Sequence, residues 1–350
     1  MTPPPGEIPS EVAAAWALQR PPPGDRIGAP RGGPHPAPTA LVLGDPAPHL
    51  PRALAQTGYA LTRWHRDLTR GQICAPWPPS GPFGEVWVRM PRSSREAAML
   101  LHAAAARVAD GARIHLYGAG REGIRSSARH FPEGTDPPDT LLIKRRCRVL
   151  AATRRAPPPR PDALDSWEVR APVDWGTGAR DWTFYPGVFA CGHLDAATAL
   201  LIDCLPALPA GARLLDFGAG TGIIAAAALE RGAPGAEAVL LERDAIALVA
   251  ASRNLPGATL VLGRSAAAVP GPFALIVSTP PIHAGSAQSL HTVEELVREA
   301  PAVLAPGGRL LLVAQRRLPI ARILERTFPL INTIADRESF RVWEAGRNQP

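Results

Sequence analysis

"ARLLDFGAGTG", residues 212–222, is an apolar run that meets an acid and three glycines before the alanine-rich stretch "IIAAAALERG" (223–232). A short aliphatic run punctuated by glycine reads as a strand buried on both faces, and the stretch after it as a helix. Glycines there permit left-handed turns, and the free N–H groups and positive dipole end of the helix face whatever lies beyond the strand. Asp216 lies at the strand end, where its carboxylate can meet an ammonium group directly or through water. Glu242 ends the next strand, "AEAVLLE" (236–242), 20 residues after Gly222, where it can accept from the two hydroxyls of a ribose. An acid, then Gly218, Gly220 and Gly222, then a second acid at these offsets suit S-adenosylmethionine better than a nicotinamide dinucleotide.

The pattern continues outward from this loop. A helix "DAIALVAASRNL" (244–255), "ATLVLG" (258–263), the strand "FALIVS" (273–278), a helix around 292–304, the turn "APGG" (305–308) and the strand "RLLLVAQ" (309–315) alternate as in a doubly wound, mostly parallel α/β sheet. The first half repeats the plan. "PFGEVWVRMP" (82–91), a helix through "REAAMLLHAAAARV" and the strand "ARIHLYG" match "PFALIVSTPP", its helix and "RLLLVAQ" in order and length. Two related domains in tandem are therefore expected. "YGAGREG" (117–123) also has the dinucleotide spacing, but the strand expected after it, "DTLLIKRRCRVL" (139–150), is basic and does not end in an acid at the distance a ribose needs. It reads as a structural turn, and an NAD-dependent oxidoreductase, which this loop alone would indicate, is the weaker alternative.

The bulk properties set the class. A chain of 350 residues favours two domains. Residues 1–36, rich in Pro and Gly around the helical candidate "SEVAAAWALQ", read as a mobile tail. Residues 37–155 form the first domain, the proline cluster at 156–162 a stiff linker, and 163–350 the second domain. A net charge of +7, carried almost wholly by arginine with Lys144 the only lysine, points to an acidic partner such as RNA. The basic clusters "TRWHR" (62–66), "KRRCR" (144–148) and "TRR" (153–155) all fall in or beside the first domain, where arginine forks suit phosphate and Trp64 could stack on a base or serve as a buried anchor. Cys74, Cys147, Cys191 and Cys204 are too scattered for a zinc site or a disulfide framework, so no metal and a reducing cytoplasm are expected. The start "MTPPPGEIPSEV" lacks a secretory pattern, and the longest apolar run, "IIAAAAL", is far short of the roughly 20 residues of a membrane span, so no membrane partner is expected.

The remaining chemistry lies in "STPPIH", at the end of the fourth strand of the second half. In an open α/β sheet the ligand sits beyond the carboxyl ends of the strands, which places Thr279 and Pro280 on the edge of the Asp216 loop. A carbonyl stiffened by paired prolines, with a side-chain oxygen beside it, can accept from both N–H groups of an exocyclic amine and aim its lone pair at a methyl donor.

The stretch "FYPGVFACGHLDAATALLIDCLPALPAGARLLDFGAGTG" (184–222), followed by Glu242 and "FALIVSTPPIHAG" (273–285), resembles the two-domain ribosomal RNA guanine-N(2) methyltransferases of the small-subunit type. "YGAGREGIRSSARHF" (117–131) looks like the first domain of that family, a methyltransferase-like copy without a cofactor site and with a substrate-binding role. The resemblance implies S-adenosylmethionine as cofactor and ribosomal RNA or a small-subunit particle as partner. It assigns Tyr185 to Phe189 to a loop over the cofactor, Gly218 to Gly222 to its methionine part, Glu242 to its ribose and the turn Gly263-Arg264-Ser265 to the neighbourhood of its adenine. Thr279, Pro280, Pro281 and Ile282 would form the acceptor corner. The family pattern there is Asn-Pro-Pro-Phe, so Thr279 and Ile282 depart from it, as does Ala274 at a place commonly Asp. A hydroxyl before Pro-Pro also resembles cytosine amino-methyltransferases, and a cofactor-binding scaffold with weakened catalysis is a further alternative. His193 and His283 read as loop residues.

Overall fold

The computed structural model describes residues 7–20, 37–280 and 287–346. The chain divides into two units at Glu168/Val169. In the first, helix α1 (Ile8–Leu18) precedes β1 (Thr39–Leu43), α2 (His49–Gln56), β2 (Ala60–His65), β3 (Ile73–Cys74), β4 (Phe83–Arg89), α3 (Ser94–Arg107), β5 (Val108–Ala119), β6 (Asp139–Lys144) and β7 (Cys147–Thr153). The second holds β8 (Val169–Val173), β9 (Arg180–Phe184), α4 (Ala196–Asp203), β10 (Arg213–Phe217), α5 (Ile223–Arg231), β11 (Glu237–Glu242), α6 (Ala245–Asn254) and β12 (Thr259–Leu262). It continues with β13 (Phe273–Ser278), α7 (Ala287–Val303), β14 (Leu304–Gln315), α8 (Ile320–Leu324), β15 (Leu330–Arg337) and β16 (Phe340–Gly346).

Each unit is built on a seven-stranded sheet, ordered β3-β2-β1-β4-β5-β7-β6 in the first and β12-β11-β10-β13-β14-β16-β15 in the second. The same order in both, with the last two strands antiparallel, bears out the tandem reading. In the second unit successive residues of a strand enter different cores: Leu214, Leu240, Leu275 and Val277 pack with α4 and α5, whereas Leu215, Leu241 and Ile276 pack with α7 and α8. Burial on both faces is why these strands read as unbroken apolar runs.

Three features differ from expectation. Residues 8–18 lie within the stretch read as a tail, yet Val12, Ala13, Ala14 and Ala17 are buried, and Ala13, Ala14 and Ala17 share a core with Leu50, Ala53 and Leu54 of α2. Ser10 Oγ accepts from Leu50 N at 3.1 Å, a cap that α2 lacks from its own Pro48. The proline stretch 156–162 belongs to the first unit, where Asp162 pairs with buried Arg107 at 2.6 Å. The basic run 139–150 is a hairpin, not one strand: Arg145 and Arg146 both take positive φ, 51° and 61°, and fold β6 back onto β7. No helix of the described residues is long and apolar enough to cross a membrane.

Candidate cofactor and acceptor site

At the carboxyl end of β10 the backbone turns through Gly218, Gly220 and Gly222 at φ of 74°, 55° and 86°. A Cβ on Gly218 or Gly220 would meet nothing within 4 Å, so these two line an open side of the loop. At Gly222 a Cβ would stand 3.1 Å from Leu240 Cδ2, so there glycine also serves close packing of loop on sheet. The loop is tied down by Gly218 N donating to Leu241 O at 2.8 Å.

The two acids are both buried at this edge. Asp216 is fully enclosed: Oδ2 accepts from Ala225 N, a free N–H of the first turn of α5, at 3.2 Å, while Oδ1 has no hydrogen-bond partner. Burial, with the charge of Glu242 adding and the Ala225 N–H opposing, pushes its carboxyl up to about 7. Glu242, 8% exposed, accepts from Arg243 N (2.7 Å) and Asp244 N (3.0 Å) on Oε1 and from Gly220 N (2.8 Å) on Oε2. Burial first, then the charge of Asp244, pushes it to about 7 against those three N–H groups. A carboxylate offers about four lone-pair sites. Glu242 thus keeps one for a ribose hydroxyl, and a second hydroxyl must displace the Gly220 N–H.

Strand register brings the acceptor corner alongside. Phe217 pairs with Ser278, so Thr279 follows abreast of Gly218, and Ser278 Oγ donates to Phe217 O at 2.8 Å, locking the two strand ends together. Thr279 is half-buried and Pro280 buried. Pro281, Ile282 and His283 lie outside the described residues. Phe189 is 58% exposed on the turn after β9, and His193 is exposed on the same segment. Ala274 is half-buried near the start of β13, away from the carboxyl edge. Arg264 is exposed, whereas Ser265 Oγ donates to Glu299 Oε2 of α7 at 2.8 Å, a link that fastens its turn to the helix.

Sequence reading missed a clamp on the glycine loop. Asn254, at the end of α6, accepts from Thr183 N (2.8 Å) and donates to Thr183 O (3.0 Å) and Thr221 O (3.1 Å). Trp182 Nε1 donates to Thr221 Oγ1 at 3.0 Å in a buried bond. One amide therefore joins the glycine loop to β9 and to the 185–189 segment that β9 feeds. The only sequence signal was a polar amide at the end of an otherwise alanine-rich helix.

The first unit's glycine loop is filled from within. Glu122 pairs with Arg89 through two bonds of 2.8 and 2.7 Å and accepts from Ala119 N at 2.7 Å, and a Cβ on Gly118 would collide with Met90 Cβ at 2.5 Å. It is a structural turn with no cradle.

A doubly wound sheet with an acid, a glycine cradle, a second acid and Thr279-Pro280 on one carboxyl edge, preceded by a copy without the cradle, defines a two-domain methyltransferase. Residues 181–344 match the methyltransferase small domain and residues 36–169 its N-terminal companion. A ribosomal RNA small subunit methyltransferase C of Ectopseudomonas mendocina is 35% identical over 273 residues, 77% of this chain and 81% of that protein. The one of Stutzerimonas stutzeri is 33% identical over 319 residues, 88% of this chain and 94% of that protein. The solved T. thermophilus 16S rRNA N2 methyltransferase, in complex with AdoMet and guanosine, shares the fold with a TM-score of 0.76 at 21% identity, over 96% of this chain and 92% of that one. The chain belongs to the ribosomal RNA small subunit methyltransferase C family.

Proposed function

We propose that this chain transfers the methyl group of S-adenosylmethionine to an exocyclic nucleobase amine, N2 of guanine, in ribosomal RNA or a small-subunit particle of the cytoplasm. The observation that carries the reading is the register of Phe217 with Ser278, which sets Thr279-Pro280 beside the glycine cradle at the edge where Asp216 and Glu242 stand. The residues fit that cofactor. The unpartnered Asp216 Oδ1 is a buried acceptor awaiting a cation or a water bound to one, Gly218 and Gly220 face open space, and Glu242 keeps a lone pair.

When bound, the cofactor supplies an electrophilic methyl on a sulfonium. The chain's part is positioning. An amine conjugated to a base is a weak nucleophile, and accepting its two N–H groups at the Pro280 carbonyl and Thr279 Oγ draws the nitrogen toward a pyramidal shape. Holding nucleophile and methyl about 3–3.5 Å apart and in line removes the entropy of encounter. The prolines keep the carbonyl from swinging, since φ is fixed at both. The proton released passes to water. A base within folded RNA must be unstacked to reach this corner.

Mass spectrometry of nucleosides from ribosomal RNA, with and without the gene, tests the reading, and loss of N2-methylguanosine is the expected result. Heat released on adding adenosylmethionine with an unchanged nucleoside profile would instead favour a binding scaffold, for which Thr279 in place of Asn is the motive.

A further inference from the structure

The two-stranded sheet of β8 and β9 stands apart from the seven strands of the second unit's main sheet. Among the described residues every strand of the first unit belongs to its seven-stranded sheet, so the unit without a cradle has no such hairpin. The hairpin accompanies the cradle, and its contacts show how the two are joined.

The turn of the hairpin is gathered on one carboxylate. Glu230, in the last turn of α5, accepts from Trp175 Nε1 at 2.8 Å and Thr177 Oγ1 at 3.2 Å on Oε2, and from Arg180 Nη2 at 2.5 Å on Oε1. The Arg180 guanidinium also lies 4.4 Å from the centre of the Trp175 ring. The side chains of Arg180 and Glu230 are 36% and 34% exposed, and an ion pair so open to water adds little stability. What the carboxylate fixes is the orientation of a buried indole, through its one polar hydrogen.

From that indole the contacts run unbroken to the cradle. Trp175 meets Trp182 edge to face, with ring centres 5.5 Å apart and planes at 89°. Trp182 Nε1 donates to Thr221 Oγ1 at 3.0 Å, and Thr221 stands between Gly220 and Gly222. Both rings belong to the core that includes Ile223, Ile224 and Ala227 of α5, where close packing ties the tilt of one ring to that of the other. Glu230 itself lies about 10 Å along α5 from Ile223, at 1.5 Å of rise per residue, and its partners are all on the hairpin.

We propose that Glu230 is a positioning residue for the cofactor, setting the place of Thr221, and with it the shape of the glycine cradle, through Trp175 and Trp182. The inference rests on the methyltransferase reading of that cradle. Without the carboxylate the Trp175 N–H loses its acceptor, the ring gains freedom to tilt, and the loop from Gly220 to Gly222 gains conformations that do not bind. The loss falls on cofactor binding and not on the chemical step, since the relay ends at Thr221.

The test uses the full chain. Glu230→Ala is expected to weaken adenosylmethionine binding about fivefold by calorimetry and to raise its KM to match, with little change in kcat. Glu230→Gln, whose amide oxygen still accepts from Trp175 while the link to Arg180 is lost, is expected to stay within about twofold of the unaltered chain. In a Trp182→Phe background, where the relay is already cut, Glu230→Ala is expected to add less than about twofold. Without cofactor, the amides of Gly220 and Gly222 are expected to exchange about fivefold faster in Glu230→Ala, with those of α7 unchanged. Unchanged affinity and exchange in Glu230→Ala would overturn the proposal and leave the cofactor site. Fully additive losses in the double variant would overturn it too, as would a Gln variant impaired as much as Ala, which would assign the effect to surface charge. No heat from the unaltered chain, with exchange still faster in the variant, would overturn the reading of the ligand and leave the relay.

Discussion

The two sheets share strand order and register, yet their carboxyl edges hold opposite contents. Leu43 pairs with Val88 as Phe217 pairs with Ser278, so Val42 stands where the second unit has Asp216, Gly44 where it has Gly218, and Arg89 where it has Thr279. Leu43 pairs with Trp64 as Phe217 pairs with Leu241, so His65 takes the place of Glu242. The first unit fills this edge with its own groups: Tyr117 donates to Asp45 at 2.7 Å, and Arg89 holds Glu122. The second leaves a carboxylate oxygen unpartnered and two glycines facing open space. The sheet is indifferent to the change, because the hydrogen bonds of its ladder are made by backbone; the edge residues alone decide between a closed network and a ligand site.

The sharpest way to break the contrast is to give the second unit the first unit's residue. Asp216→Val is expected to weaken adenosylmethionine binding by about 100-fold, measured by calorimetry, while thermal melting shows no loss or a gain of stability, because a poorly satisfied buried carboxyl is removed. The converse change is Arg89→Ala, which leaves Glu122 without its partner. A loss of about 3 kcal/mol in denaturant unfolding is expected, with cofactor affinity unaltered. Equal effects of the two substitutions on cofactor binding would end the comparison.

Smaller effects sharpen it. Asn254→Ala removes two hydrogen bonds to Thr183 of β9 and one to Thr221 of the glycine loop, and about a tenfold rise in KM for adenosylmethionine is expected with little change in kcat. The two units should also respond oppositely to pH. Asp216 and Glu242 sit near 7 when folded, above their unfolded values, so the native second unit holds protons that the unfolded chain has released. Its stability therefore falls as pH rises from about 4 to 7, and cofactor affinity rises through the same window as the carboxylates ionise. In the first unit burial alone would raise Glu122 and Glu85, but Arg89 for the one, and Arg20 with His115 for the other, outweigh it and hold both below the usual range. That stability is present above about 4.5 and lost as pH falls below it. Hydrogen exchange at pH 3.5, 5 and 7, resolved by unit, separates the two trends.

Much of the candidate site was legible because it is local. The glycines at 218, 220 and 222, the acid 20 residues on and the Pro-Pro corner are patterns of neighbours in sequence, and strand ends in a parallel sheet converge on one edge. The clamp was not legible: Asn254 acts on Thr183 and Thr221, 71 and 33 residues away, and a lone amide has no spacing to betray it. Nor was the bond from Gly220 N to Glu242, which depends on how the loop turns back over β11.

By itself the sequence determined the tandem plan, the five parallel strands of the second sheet and the glycine turn between its first strand and helix, since aliphatic periodicity and glycine placement act over one turn or one strand. Only the tertiary structure decided that the helix at 8–18 packs against α2, that Trp64 is buried, that the 139–150 run folds into a hairpin paired to β5, and that the first glycine loop is closed by Glu122. Each of these turns on which groups distant in the chain come within hydrogen-bonding or packing distance, and local propensity carries no information about that.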